Sequence, residues 1–237
     1  MFGFSSLFDL SGTDHGAVFD EARFACDGLR HLISYVDQTL QPYQAHTLRG
    51  RAYIEENVSI GEGTMVEEGA MIQGPSIIGR NCQIRHNAYI RPYSVIGDAC
   101  VIGNASEIKH ALIFNESQIP HFNYVGDSIL GRYAHLGAGV KISNLKLTPG
   151  TVMIDEVDAA GVPIDTGLRK LGALIGDRAE VGCNAVLNPG AILGRESIVY
   201  PNVSWRGILP DQMIAKNKAS VEVVMTRPRS SEIRRDR

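Results

Sequence analysis

From Ile54 to Ile108 every sixth residue is a β-branched aliphatic: Ile54, Ile60, Val66, Ile72, Ile78, Ile84, Ile90, Ile96, Ile102 and Ile108. Two positions ahead of each sits a small or β-branched side chain, from Ala52, Val58 and Thr64 through Ala70, Ser76 and Cys82 to Ala88, Ser94, Cys100 and Ser106. Neither a helix of period 3.6 nor a strand of period two produces this pattern. The phase slips by one and resumes at Ile113, Ile119 and Val125, then slips again to Leu130, Leu136 and Ile142. After a long break it returns at Ile175, Val181, Leu187, Leu193 and Val199, making twenty-one hexapeptides. Two inward residues per six fit a chain wrapping a triangular prism, with one short strand per side and three hexapeptides per turn. The spacing predicts an all-β parallel β-helix of about seven coils, on the order of 30 Å tall at the usual strand separation.

The flanks do not follow this period. From about His15 to Leu40 an apolar stripe of Phe19, Ala22, Cys26, Leu29, Leu32 or Ile33, Val36 and Leu40 predicts an amphipathic helix. Thr13 or Asp14 is placed to cap it. Its expected seat is an open end of the prism, where it shields strand edges; docking to a partner is the alternative. The break contains TPGTVMIDEVDAAGVPIDTGLRKLG, longer than a turn, and is expected to protrude as a small hairpin toward a neighbouring subunit. Its Arg169 and Lys170 either add positive charge for a phosphate or lie idle on the surface. The tail TRPRSSEIRRDR, with five arginines, reads as a solvated extension rather than an anion-binding arm. The expected divisions are a helical segment over 1–50, the β-helix over 51–205 with an insertion at 143–174, and a C-terminal segment with basic tail over 206–237.

Composition agrees with a soluble single domain: 237 residues, 44% hydrophobic, net charge −3. It offers nothing for bulk nucleic-acid binding. No run approaches the roughly eighteen apolar residues of a membrane span, and MFGFSSLFDLSGTD lacks a basic leader, so the expected location is cytoplasmic. Cys26, Cys82, Cys100 and Cys183 include no C-x-x-C pair and no zinc-type spacing. Cys82 and Cys100, eighteen apart, stack as neighbours inside the prism and are read as reduced core thiols, with a disulfide as the alternative.

Outward side chains are not needed for the core, so unusual ones carry information. Arg91 follows Ile90 and Lys109 follows Ile108, which stacks the two cations on adjacent coils. At about 5 Å they repel by roughly 3 kcal/mol at an effective dielectric of 20 unless an anion lies between them. A phosphate site follows from this; the bland alternative is an ion pair of Glu107 with one of the cations. One coil on, the column reaches Gly126, which leaves room for a ligand. Beside it run Tyr89, Glu107 and Tyr124. Pro120-His121-Phe122-Asn123-Tyr124 departs most from the bland outward composition, and places His121, able to take a proton near neutral pH, close to that phosphate site.

The stretch NASEIKHALIFNESQIPHFNYVGDSILGRYAHLGAGVKISN resembles the acetyltransferase half of the bifunctional glucosamine-1-phosphate acetyltransferase/N-acetylglucosamine-1-phosphate uridylyltransferase enzymes. It is also similar to archaeal-type and related bacterial sugar-phosphate nucleotidylyltransferase-like proteins with left-handed β-helical C-terminal halves. The likeness covers roughly residues 50 to 215 and is carried by E-x-K, H-x-x-Y-x-G-D and L-G-A-G followed by S-N. It implies a left-handed helix, a homotrimer, and direct acetyl transfer from acetyl-coenzyme A to an amino-sugar phosphate, with His121 as general base. By the same resemblance Arg91, Lys109, Tyr124 and Asn144 contact the sugar phosphate, and Glu107 belongs to the sugar pocket. Ala138 lies along the pantetheine arm, Cys183 stands for a serine near the thioester, Pro201 for an alanine of the coenzyme groove, and Lys216 for an arginine reaching coenzyme phosphates. His135 stands where an asparagine contacts the sugar, and Leu145 where a tyrosine lies beside it.

A nucleotide-sugar pyrophosphorylase domain needs about two hundred residues ahead of the coil; here about fifty precede it, so uridylyl transfer is not expected. Two other readings compete with acetyl transfer: a non-catalytic sugar-phosphate or nucleotide-sugar sensor, separable by coenzyme binding, and a zinc hydratase using His110, His121 and His135. Those histidines lack the close pair that such zinc sites carry.

Overall fold

The alternation of one aliphatic and one small inward residue builds three stacked faces. A computed structural model describes residues 3–157 and 163–218. All neighbouring strands of the coil run parallel. Among the described residues the first face runs from Thr47–Arg49 to Ile214–Ala215, nine strands. The second runs from Tyr53–Ile54 to Ser204–Trp205, and the third from Val58–Ile60 to Ile208–Leu209.

Nine turns correct the expected seven and bring the column to roughly 40 Å. The coil also exceeds the 51–205 limits at both ends. Leu48 extends the six-residue step backwards but is 50% exposed at the open end. At the other end the inward positions are Trp205, Leu209 and Ala215, after steps of six, four and six, so the uniform aliphatic signature fades although the strands persist.

The inward aliphatics form one continuous core, with Ile60, Ile72, Ile84, Ile96, Ile108 and Ile119 fully buried. Burial of each is worth roughly 1.5–3 kcal/mol. The short polar partners are buried too, and their hydroxyls satisfy backbone carbonyls at the corners: Ser94 Oγ donates to Arg91 O at 2.7 Å and Ser117 Oγ to Gly131 O at 2.7 Å. Cys82 and Cys100 are free thiols, each directed at a carbonyl, of Gly97 and Phe114.

The two phase slips have a structural meaning. A five-residue step removes one corner residue, so Glu107–Ile113 and Tyr124–Leu130 each run unbroken from the second face into the third. The bend falls on single left-handed residues, His110 at φ 44° and Asp127 at φ 47°. These two tightened corners lie on adjacent turns, with Lys109 opposite Gly126 in register.

The N-terminal helix is shorter than expected and sits elsewhere. After a short helix α1 (Phe4–Leu7) and two 3-10 turns, α2 spans Asp27–Thr39. It lies on the third face, not across an end. The reason is a column of outward apolar residues on that face: Val95, Leu112, Ile129, Leu174 and Ile192, all buried. Phe19, Leu29, Leu32 and Val36 pack on this column and complete a second core. The lead-in is tied to the corner between third and first faces: Asp177 accepts from the Asp9 N–H at 2.7 Å and Asn115 Nδ2 donates to Gly12 O at 2.8 Å.

The insertion contains an antiparallel hairpin, Met153–Val157 with Pro163–Asp165. It does not simply protrude. Val152, Ile154 and Leu171 at its base are buried in the second core beside α2. Arg169 and Lys170 are exposed. The basic tail lies outside the described residues. No helix among the described residues is long and apolar enough to cross a membrane.

Candidate functional site

On the second face, positions before and after each inward aliphatic point outward and stack turn upon turn. Register pairs Tyr89 with Glu107 and Glu107 with Tyr124, as the eighteen-residue and seventeen-residue offsets require. Arg91 and Lys109 fall in the adjoining column. Arg91, Glu107, Lys109, Tyr124 and Asn144 are thereby brought together.

The two cations do not face each other unscreened. Arg91 Nη1 donates to Glu107 Oε1 at 2.9 Å, and Lys109 Nζ to Asp127 Oδ2 at 3.1 Å. Each has its own carboxylate, which removes the repulsion that motivated a phosphate between them. The hydrogen bond that Arg91 donates to Glu107 raises the Arg91 pKa further. Several N–H donors of both cations remain for an incoming anion, because a guanidinium has five and an ammonium three.

Asp127 is the residue that sequence reasoning missed. Its side chain is only 7% exposed. It accepts hydrogen bonds from Lys109, from His110 Nδ1 at 2.9 Å, and from Asn144 Nδ2. Burial alone pushes the Asp127 carboxyl up, but the bonds from His110, Asn144 and Lys109 outweigh it and hold the group below its ordinary value. The same Asn144 amide donates to the Tyr124 hydroxyl at 3.3 Å. Burial, followed by the charges of Glu107 and Asp127, raises the Tyr124 pKa and keeps the phenol protonated.

Gly126 lies close against this network. A Cβ there would lie 2.6 Å from the Tyr124 hydroxyl and 2.8 Å from Asn144 Nδ2. The space it leaves is therefore taken up by these two side chains. Beside the network, a shallow depression of about 540 Å3 is lined by Glu107, Phe122, Tyr124, Lys141 and Asn144. A second hollow of about 390 Å3 lies between Ile33 of α2 and Arg91, Lys109, His110 and Asp127.

His121 occupies the corner between first and second faces, in register with Asn104. Its side chain is exposed, and its imidazole makes no hydrogen bond among the described residues. Buried Asn123 fixes the local turn by accepting from the His121 N–H at 3.0 Å and donating to Gly137 O at 2.7 Å. Continuing the register of the first face places Ala138, Cys183 and Pro201 below His121 on successive turns. Backbone bonds follow the same line, Gly139 N to His121 O, Asn184 N to Ala138 O and Asn202 N to Cys183 O. Lys216 falls one position off the end of this column, beside Ala215.

His135 does not join them. It projects from the middle of the first face and pairs through Nδ1 with Glu180 Oε2 at 2.7 Å. His110, His121 and His135 thus occupy two different corners and a face, and among the described residues no three His, Cys, Asp or Glu side chains are grouped to hold a metal ion.

A family model described as the GMPPB C-terminal domain matches residues 72–224. A bifunctional sugar-1-phosphate nucleotidylyltransferase/acetyltransferase from Sulfurisphaera tokodaii is 39% identical over 95 residues, which cover 40% of this chain and 23% of that protein. The bifunctional protein GlmU of Methanococcus maripaludis is 35% identical over 126 residues, 53% of this chain and 29% of that protein. This chain thus spans less than a third of the length of these curated relatives. Among solved structures, a UDP-N-acetylglucosamine acyltransferase from Campylobacter jejuni aligns over 74% of each chain, with 15% identity and a TM-score of 0.45.

Proposed function

This chain belongs to the GMPPB C-terminal domain family, and on that footing we propose that it is an acetyl-coenzyme-A-dependent N-acetyltransferase acting on an amino-sugar phosphate. Glucosamine 1-phosphate is the acceptor we assign, in nucleotide-sugar synthesis, with acetyl transfer and not uridylyl transfer as the reaction. The observation that carries the proposal is an adjacency. The anion-competent face with Arg91 and Lys109 borders the corner column of His121, Ala138, Cys183 and Pro201.

In this reading the sugar lies over Glu107, Tyr124 and Asn144, and its phosphate displaces part of the carboxylate pairing of Arg91 and Lys109. Acetyl-coenzyme A descends the corner past Ala138, Cys183 and Pro201 toward Lys216. His121 accepts a proton from the neutral amine of the acceptor as its nitrogen attacks the thioester carbonyl. The new N–C bond forms, the C–S bond breaks, and the proton ends on the departing thiolate. A single convex prism supplies only one wall, so the site is completed by a second copy in a cytoplasmic homotrimer.

The test is coenzyme A release from acetyl-coenzyme A with glucosamine 1-phosphate, with binding of both substrates measured separately. Turnover by the wild type that falls on the order of 10²–10⁴-fold in His121→Ala, with binding retained, is the expected result. Sugar-phosphate binding without coenzyme binding or turnover would replace the enzyme by a sensor.

A further inference from the structure

Further down the second face, beyond the depression, lies a cleft of about 490 Å3, a size typical of small-molecule sites. Val186 and Pro189 of the coil form one side of it, and Leu145, Leu147 and Met153 of the insertion line the other. Ser143 lines both this cleft and the depression, so the two are neighbours on the second face.

Two features set the cleft apart. Leu145, Leu147 and Met153 are 44%, 105% and 40% exposed, an apolar patch that packing of the coil does not require. Its charge is also one-sided: among the described residues Lys146 and Arg206 line it and no carboxylate does. Neither cation forms an ion pair among the described residues, although Lys146 acts through its field on Asp165. Arg91 and Lys109 differ in each having a carboxylate partner.

Position selects the occupant. Register carries the second face from Tyr124 to Lys141, Val186 and Ser204, away from Arg91 and Lys109. The cleft is therefore at the opposite end from the phosphate cations. It lies level with the turns on which Ala138, Cys183 and Pro201 follow His121. A group entering it is attached to the acyl donor, not to the acceptor phosphate.

We propose that this cleft receives the acyl chain of the donor and admits chains longer than acetyl, their methylenes lying along Leu145, Leu147, Met153 and Val186. Lys146 and Arg206 stand where a chain ending in a carboxylate would place its charge. The inference rests on the acyl-transfer reading above. The chemistry balances as before: the amine nitrogen gains the acyl carbon, the thioester sulfur leaves, and the amine proton passes through His121 to the thiolate.

Calorimetric titration of the full chain with coenzyme A and its acetyl, hexanoyl and glutaryl thioesters tests it, alongside coenzyme A release from each thioester with glucosamine 1-phosphate. Four further buried methylenes predict that hexanoyl binds about tenfold or more tighter than acetyl. Val186→Phe, an outward and partly exposed position, brings that ratio close to one. Lys146→Ala with Arg206→Ala weakens glutaryl binding selectively where the carboxylate is recognised, and leaves the hexanoyl preference in place. Equal binding of acetyl and hexanoyl thioesters overturns the proposal. So does a Val186→Phe variant that weakens all thioesters alike, and if its mass by light scattering also drops, the cleft holds a second copy of the chain instead. A long-chain preference without release of coenzyme A from any donor upholds the cleft and overturns the acetyl-transfer reading alone.

Discussion

Asp127 holds three donors of the candidate site with one buried carboxylate, which makes it sensitive to charge rather than shape. Asp127→Asn keeps the volume and removes the charge, and is expected to lower stability at neutral pH by about 1–3 kcal/mol. The pH dependence has a definite sign. Its folded pKa lies below the ordinary 3.8, so the stabilisation is fully present above the unfolded value and is lost as pH falls through the depressed folded one. Urea unfolding of both proteins at pH 7, 5, 4 and 3 checks this: the gap stays constant down to about pH 5 and narrows only at the acid end. For the proposed substrate, Arg91→Ala and Lys109→Ala each remove a charge-assisted contact worth about 1.5–3 kcal/mol and should raise the dissociation constant of glucosamine 1-phosphate about tenfold or more. Titration calorimetry reads it directly. The columns of Arg91 with Lys109, and of Tyr89, Glu107 and Tyr124, were legible because three hexapeptides per turn fix which residues stack. Asp127 was legible by the same rule, since it follows Val125 as His110 follows Ile108. The hydrogen bonds that make it a hub were not.

α2 shows why an element can be foreseen and still be misplaced. Its apolar stripe is in the sequence, but a stripe alone names no partner. The partner was also written there, as Val95, Leu112, Ile129, Leu174 and Ile192, each one residue before an inward aliphatic and all on one face. An apolar column pointing outward on a prism must be covered, and α2 with the insertion base covers it. Truncating Leu32 to Ala, from full burial, should cost about 2–5 kcal/mol. Because the second core is separate from the inner one, hydrogen exchange should accelerate first in Asp27–Thr39 and leave the first-face strands protected. Uniform acceleration throughout the coil would show instead that the two cores unfold together. The hairpin follows a similar logic: its length announced an insertion, whereas docking of Val152 and Ile154 beneath it depends on the same uncovered column.

At the scale of the molecule, two hydrophobic cores share one wall. The inner core runs the length of the coil, and the outer one ties the N-terminal segment and insertion to the third face. Among the described residues the outer core covers neither the first nor the second face, and the candidate site lies on the second. We therefore expect three chains per particle by light scattering, with turnover lost at dilutions where monomers prevail. What the sequence alone determined is the prism, its inward residues and the outward columns, because a six-residue repeat is set by covalent geometry and local burial. What only the tertiary structure decided is the nine-turn extent, the seat of α2, the pairing of Arg91 with Glu107 and of Lys109 with Asp127, and the pairing of His135 with Glu180 on the first face. Those outcomes depend on side-chain directions and on contacts between segments far apart in the chain, which a repeat of period six does not encode.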